Sequence, residues 1–293
     1  MKKGNLSDRL TYFGFTLIPL GLYCVFYVFQ VLSGVFYSFT NWNGMSPKFS
    51  MVGFKNYAFL MGSQNFWRSM GTTFRYALLL VVLTITVSLV LALCLDSYRR
   101  KWVKTFTKAI FFIPAMLSAV TVALIWSQLY YRAIPVIGQA LNIEILKTSP
   151  LGSPKTTLPA TVFVNVWQSV AIPTLIFIAG LQSIPRELYE SAQMDGAAPL
   201  RRFTAITVPY MLPTFVVNLV LLVKGGFTTF DYPYALTGGG PVRATEVIAI
   251  SIVNDAFQTY RFALANAEAM VLFVVIALIS IAQIKLSQRR SVE

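Results

Sequence analysis

The chain has 293 residues, of which 56% are hydrophobic and only 12% charged, with a mean hydropathy of +0.64. A soluble domain carries about 25% charged residues, so the composition excludes an ordinary soluble enzyme and makes lipid part of the solvent. The formal net charge of +13 does not signal nucleic acid, because the basic residues flank apolar runs and form no Lys/Arg stripe interleaved with aromatics.

Histidine is absent, and Cys24 and Cys94 lie far apart inside apolar runs, which argues against a zinc or copper site. Met1-Lys2-Lys3 has the charge of a signal-peptide start. The apolar run over 12–39, however, far exceeds a signal core of roughly 7–15 residues and predicts a retained first span, with Pro19 in its first third. Residues 40–69 are aromatic and polar (Trp42, Tyr57, Trp67) and read as an external loop with a short interfacial helix.

A second span is predicted over 72–95. It is followed by the densest basic cluster of the chain, Arg99, Arg100, Lys101, Lys104 and Lys108, on a short loop. The positive-inside rule makes that loop cytoplasmic and places the N-terminus on the same side. The third span is expected over 109–130, with Pro114 inside it. Five turn formers (Pro135, Gly138, Pro150, Gly152, Pro154) then predict an external loop over 132–157. A fourth span over 158–181 is interrupted by Pro173, and a fifth over 205–223 carries Pro209 and Pro213. Gly238-Gly239-Gly240-Pro241 breaks any helix, and the last span covers 264–284. The expectation is an all-α integral membrane protein, one domain over 1–293 with about six transmembrane helices and both termini cytoplasmic.

Between the fourth and fifth spans lies a polar interruption, 184–204, containing Arg186, Glu187, Glu190 and Asp195. Pro185 suits a helix start and Glu187 puts negative charge in the first turn. Ser191 and Ala192 are small enough for another surface to approach. Asp195-Gly196 predicts a sharp turn, with Asp195 capping the next helix. The segment reads as helix, turn, helix: a cytoplasmic element on which another protein can push, or else a solvated connector. No G-x-x-x-x-G-K-[ST] motif occurs, so no ATPase site is expected in this chain.

At these residues a resemblance becomes specific. Glu190-Ser191-Ala192-x-x-Asp195-Gly196-Ala197, followed by Phe203, Ile206-Thr207-Val208-Pro209 and Pro213, resembles the signature loop of permease subunits of binding-protein-dependent ABC importers. The segments Phe39-Thr40-Asn41-Trp42, Val52-Gly53-Phe54-Lys55-Asn56-Tyr57, Phe111-Phe112-Ile113-Pro114 and Leu236-Thr237-Gly238-Gly239-Gly240-Pro241 are similar to the carbohydrate-uptake (maltose or oligosaccharide-type) branch. Two departures stand out. Ser191 replaces the usual second Ala, and Arg261-Phe262-Ala263 stands where Gly-Tyr-Ala is common.

The resemblance implies a type I ABC importer permease fold in a bacterial-type plasma membrane. It implies a second homologous permease, two cytoplasmic ATPase subunits that bind ATP-Mg, an extracytoplasmic solute-binding protein, and no cofactor on this chain. Within the loop it implies ATPase coupling through Glu187, Glu190, Ser191, Ala192, Asp195, Gly196 and Ala197.

Transport sites lie near mid-bilayer at interrupted helices. Trp167, Gln168, Ser169 and Ile172 on the fourth span, with Asn218, Leu222, Lys224 and Gly226 on the fifth, are therefore the expected substrate path, although Trp167 and Asn218 equally suit helix packing. The function expected is import of an oligosaccharide or related sugar. The alternatives are glycerol phosphate or another polar anion, favoured by Lys224, and an ion-coupled carrier, for which Glu268 is the one clear intramembrane acid.

Overall fold

The computed structural model describes residues 6–97 and 101–290. Arg99 and Arg100 of the predicted basic loop, and the charged Met1-Lys2-Lys3 start, lie outside the described residues. Among the described residues the chain is helical, and its one β-type pairing is the isolated bridge between Thr40 and Met51.

In chain order, α1 (Leu6–Tyr23) continues through a π turn at Cys24–Val28 into α2 (Phe29–Ser38). Short α3 (Lys55–Gly62) precedes the long α4 (Gln64–Ser97), and α5 is Lys101–Ala115. Next come α6 (Ala119–Gln128), a π turn at Leu129–Ala133 and α7 (Ile134–Ala140). These are followed by α8 (Thr157–Ser169), α9 (Ala171–Gln182) and α10 (Arg186–Met194). After α11 (Pro199–Arg202) and a π turn at Phe203–Thr207 comes α12 (Val208–Phe227), then α13 (Asp231–Thr237), α14 (Ile248–Val253) and α15 (Phe262–Arg290).

Among the described residues five helical stretches are long and apolar enough to cross a membrane: Phe13–Ser38, Gln64–Asp96, Ala119–Ala140, Pro199–Phe227 and Phe262–Lys285. The pair α8 and α9, bent by 51°, makes a sixth when counted as one span. About six membrane helices were expected, and the boundaries differ where backbone chemistry intervenes.

The predicted third span, 109–130, is not one helix. α5 ends at Ala115, one residue after Pro114, and a new helix starts at Ala119 and runs on to Ala140. The first third of the predicted external loop, 132–140, therefore belongs to a helix long and apolar enough to cross a membrane. Pro135 lies inside this continuous stretch, directly after the π turn at Leu129–Ala133 that absorbs its missing N–H, so it does not mark a loop. The fourth span breaks at Val170. Pro173 cannot donate to the Ser169 carbonyl four residues back and crowds it, so the helix bends there rather than at the proline itself. Pro209 in the fifth span lies just past a π turn that absorbs the same mismatch. The second span starts at Gln64, eight residues earlier than 72, because the interfacial residues Phe66 and Trp67 continue the helix.

The contacts divide the chain, read from sequence as a single domain, into two compact units. One comprises residues 1–63 and 252–273. In it Asn56 donates to the carbonyls of Ser38 and Thr40, closing the chain after α2, and Trp42 stacks on Tyr37 at 4.3 Å. Gly44, at φ +86°, lies against the Phe262 ring, where a Cβ would come within 2.1 Å. Glu268 is buried here at 2% exposure.

The other unit comprises 64–251 and 274–293. Three apolar clusters hold it. Tyr76, Leu80, Val162 and Val166 pack with Val247 and Ile250. Ala92, Leu95, Phe177, Leu181 and Met211 form a second cluster, and Val122, Tyr130, Val164 and Leu236 a third. Because lipid gives no hydrophobic drive between helices, close approach decides the packing. At Gly226 of α12 a Cβ would lie 2.8 Å from both the Cα and the Cβ of Ala77 on α4.

Candidate functional site

Helix α10 is amphipathic. Ile184 before it is buried, and Leu188 and Tyr189 pack onto the Phe177–Met211 cluster. The Tyr189 hydroxyl lies 2.7 Å from Thr207 Oγ1. Glu187, Glu190, Ser191 and Met194, at helical spacing i, i+3, i+4, i+7, form the outer stripe and are exposed. Met194 is 90% exposed, and Leu200 just beyond the turn is 74% exposed. Ala192 and Ala197 are half-buried beneath.

The helix end is made by backbone. Gly196 has φ +70°, its N–H donates to the Gln193 carbonyl (3.1 Å) and the Ala197 N–H to the Ala192 carbonyl (2.9 Å). This is a Schellman ending. Asp195 is the C-cap of α10. The sequence expectation that it caps the following helix is corrected, since the N-cap of α11 is Ala198, two residues beyond Gly196.

The second feature is a cavity of about 450 Å³ in the same unit, lined where the bent span, the end of α12 and the start of α13 meet. Phe230 and Tyr232 supply aromatic faces, and Asn165, Ser169, Thr228 and Asp231 supply polar groups. The bend at Val170 sets Ser169 and Ile172, on either side of it, into the wall. Helix α13 was not expected from sequence. Pro233 is its third residue, where the first turn tolerates it, and Gly238 at φ +58° ends it in the left-handed region. The loop beyond is tied down: Arg243 forms an ion pair with the buried Glu246, Ser69 donates to the same carboxylate, and Arg68 reaches the Val242 carbonyl.

The Tyr232 hydroxyl donates to Gln168 Oε1 (2.8 Å), while Gln168 Nε2 donates to the Leu117 carbonyl (2.8 Å). Burial, with the Asp231 carboxylate beside it, pushes the Tyr232 phenol up to about 12, so it stays protonated and donates throughout the physiological range. Tyr232→Phe leaves the buried Gln168 oxygen without this donor. It should cost about 1–2 kcal/mol and lower the thermal unfolding midpoint of the detergent-solubilised protein by roughly 2–4 °C per kcal/mol.

Comparison with known proteins places the chain in a family. Residues 84–292 match the family described as the inner membrane component of binding-protein-dependent transport systems. The multiple sugar-binding transport system permease MsmF of Streptococcus mutans is 41% identical over 280 residues, covering 95% of this chain and 96% of the relative. The chain belongs to this family.

The permease is also 30% identical to the trehalose/maltose transport system permease MalF of Thermococcus litoralis, covering 98% of each. Its fold is that of a chain from a bacterial ABC transporter involved in the import of the acidic polysaccharide alginate. That likeness has a TM-score of 0.81 at 24% identity and covers 97% of this chain and 96% of the other. The permease is therefore a multi-pass membrane subunit of an assembly with partner subunits.

Of the predicted path residues, Ser169, Ile172 and Leu222 line the cavity. Gln168 stands one bond behind it, through Tyr232. Trp167 packs edge-on against Trp126 at 5.5 Å. Asn218 is fully buried and donates to the Pro173 carbonyl at 3.3 Å, with its own Oδ1 unpaired among the described residues. Lys224 is exposed and does not line the cavity, and Gly226 is the close-packing point against Ala77. Sequence reasoning missed Asn165, Thr228, Thr229, Phe230, Asp231 and Tyr232. The signal available for most of them was the aromatic and polar run directly after the fifth span.

Proposed function

We propose that the permease is one of a pair of membrane subunits of an ATP-driven importer that moves an oligosaccharide across a bacterial-type plasma membrane. A solute-binding protein delivers the sugar on the far side. Two cytoplasmic ATPase subunits bind ATP-Mg and do the hydrolysis, and this chain binds no cofactor of its own. Both termini and α10 face the cytoplasm.

In this reading the outer stripe of α10 (Glu187, Glu190, Ser191, with Met194 beside it) seats against an ATPase subunit. Ala192 and Ala197 permit close approach, and Asp195-Gly196 holds the turn. Ser169, Ile172 and Leu222 belong to the wall that the sugar passes.

The observation that carries the choice of sugar is the cavity. Flat rings of Phe230 and Tyr232 beside the amide and hydroxyls of Asn165, Ser169 and Thr228 match the alternating apolar faces and hydroxyl edges of a saccharide. The sugar-transport relatives support the same reading. Energetics favour an external motor, since concentrating a neutral solute ~10⁴-fold costs roughly 5.5 kcal/mol.

The test is uptake into proteoliposomes. With the second permease, both ATPase subunits, binding protein and internal ATP, labelled malto-oligosaccharide should accumulate and sn-glycerol 3-phosphate should not. Accumulation by vesicles holding this chain alone would point to an ion-coupled carrier instead, and preferential uptake of glycerol phosphate to the anion reading.

A further inference from the structure

The cavity wall carries an imbalance of hydrogen-bonding groups. Four of its polar side chains already donate into the protein: Asn165 Nδ2 to the Tyr76 hydroxyl (3.0 Å), Ser169 to the Asn165 carbonyl (2.7 Å), Thr228 to the Lys224 carbonyl (3.0 Å) and Tyr232 to Gln168 (2.8 Å). What these groups still offer a guest is chiefly acceptor lone pairs.

The one acidic side chain in the wall is Asp231, exposed at the first position of α13. No cation lines the cavity among the described residues. The start of α13 gives little help to an anion either, because Pro233 removes one of its first N–H groups. A guest rich in hydroxyl donors is satisfied by such a wall. A carboxylate or phosphate, which only accepts, meets lone pairs and a like charge.

We propose that Asp231 is a specificity-determining residue of the transport path: its carboxylate accepts hydroxyl hydrogen bonds from an uncharged sugar and repels sugars that carry a carboxylate or phosphate. The proposal rests on the transport reading above and narrows it to neutral saccharides. Charge-assisted hydrogen bonds from hydroxyl to carboxylate are the stronger kind, so one residue serves both attraction and exclusion. An Asp in a first helical turn also complements the helix dipole. Asparagine, itself a good residue near a helix start, removes the charge with little local disturbance.

The experiment uses the assembled transporter in nanodiscs, without solute-binding protein, so that discrimination by that protein does not enter. It is titrated with maltotriose and with the same trisaccharide oxidised to its aldonic acid. The wild type is expected to hold the neutral sugar more tightly than the acid. Asp231→Asn should narrow that ratio by about tenfold, or about 1.4 kcal/mol, and Asp231→Glu should restore it. A role confined to folding would weaken both ligands together and leave the ratio fixed. An unchanged ratio in Asp231→Asn, or a wild type that prefers the acid, overturns the proposal while ATP-driven sugar uptake still stands. If the wild-type assembly neither binds maltotriose nor accumulates any saccharide through its binding protein, the transport reading fails and this proposal falls with it.

Discussion

Gly196→Val should abolish ATP-driven uptake while the protein still inserts in the membrane at wild-type level. The reason is conformational and not steric. Gly196 has φ +70°, and a Cβ built there meets nothing within 4 Å. For an L-residue the left-handed region costs roughly 1–2 kcal/mol, and a β-branched side chain is a genuine outlier there. Valine therefore opens the two backbone bonds that end α10, from Gly196 to Gln193 and from Ala197 to Ala192. That unwinds the turn carrying Met194 and re-aims the helix against its proposed ATPase seat.

Gly196→Asn is the control, since asparagine tolerates this region and substitutes for glycine in such endings. It should retain most of the uptake. Glu190→Lys inverts a charge on the exposed stripe and should uncouple in the same way without touching the fold. Insertion is read by membrane-fraction immunoblot and coupling by the ratio of uptake to ATP hydrolysis. Wild-type uptake by Gly196→Val would sink the assignment of α10.

Two adjacent glycines on α12 should respond in opposite ways to the same substitution. At Gly226 a Cβ falls 2.8 Å from the Ala77 backbone, so α4 and α12 must separate. Overpacking of this kind costs about 1–3 kcal/mol. At Gly225 a Cβ meets nothing within 4 Å, and alanine gains about 0.8–1 kcal/mol of helix propensity in a position that faces the cavity. Gly226→Ala should therefore lower the thermal unfolding midpoint in detergent, and Gly225→Ala should leave it unchanged or raise it. Equal midpoints would mean that the α4–α12 contact is looser than described. Gly226 entered the sequence reading as part of a substrate path, and its measured behaviour should be that of a packing residue.

The contrast shows which physics a linear sequence exposes. Apolar runs and their prolines are local properties, so about six membrane helices and the bend near Pro173 were legible. So was the turn at Asp195-Gly196, because glycine is the residue that makes that turn most cheaply. The Leu188–Tyr189 anchor of α10 was not, since it depends on residues some eighty to a hundred positions away, such as Leu95 and Ala92. The third span was misplaced because Pro135 and Gly138 read as loop. In the fold Pro135 is accommodated inside a continuous helix just past a π turn, and Gly138 lets α7 pass the Leu146 backbone, where a Cβ would come within 2.3 Å. Gln168 and Asn218 were read as substrate-path residues because they are polar residues in apolar helices. In the fold both bond backbone carbonyls and neither lines the cavity, because that depends on helix rotation, which composition does not encode.

In the unit spanning 64–251 and 274–293, the helix interruptions are bonded to one another. The break at 116–118 leaves the Leu117 carbonyl to Gln168, which sits just before the bend at Val170. Gln168 in turn takes its hydrogen from Tyr232 at the start of α13, just past the interruption that follows α12. A displaced backbone that lipid would punish is thus sheltered by its neighbours. The mechanical corollary is that the three interruptions form a single truss. Bending any one of them stretches the same two hydrogen bonds, so this stretch of the cavity wall should shift as one piece and not residue by residue when the assembly changes state.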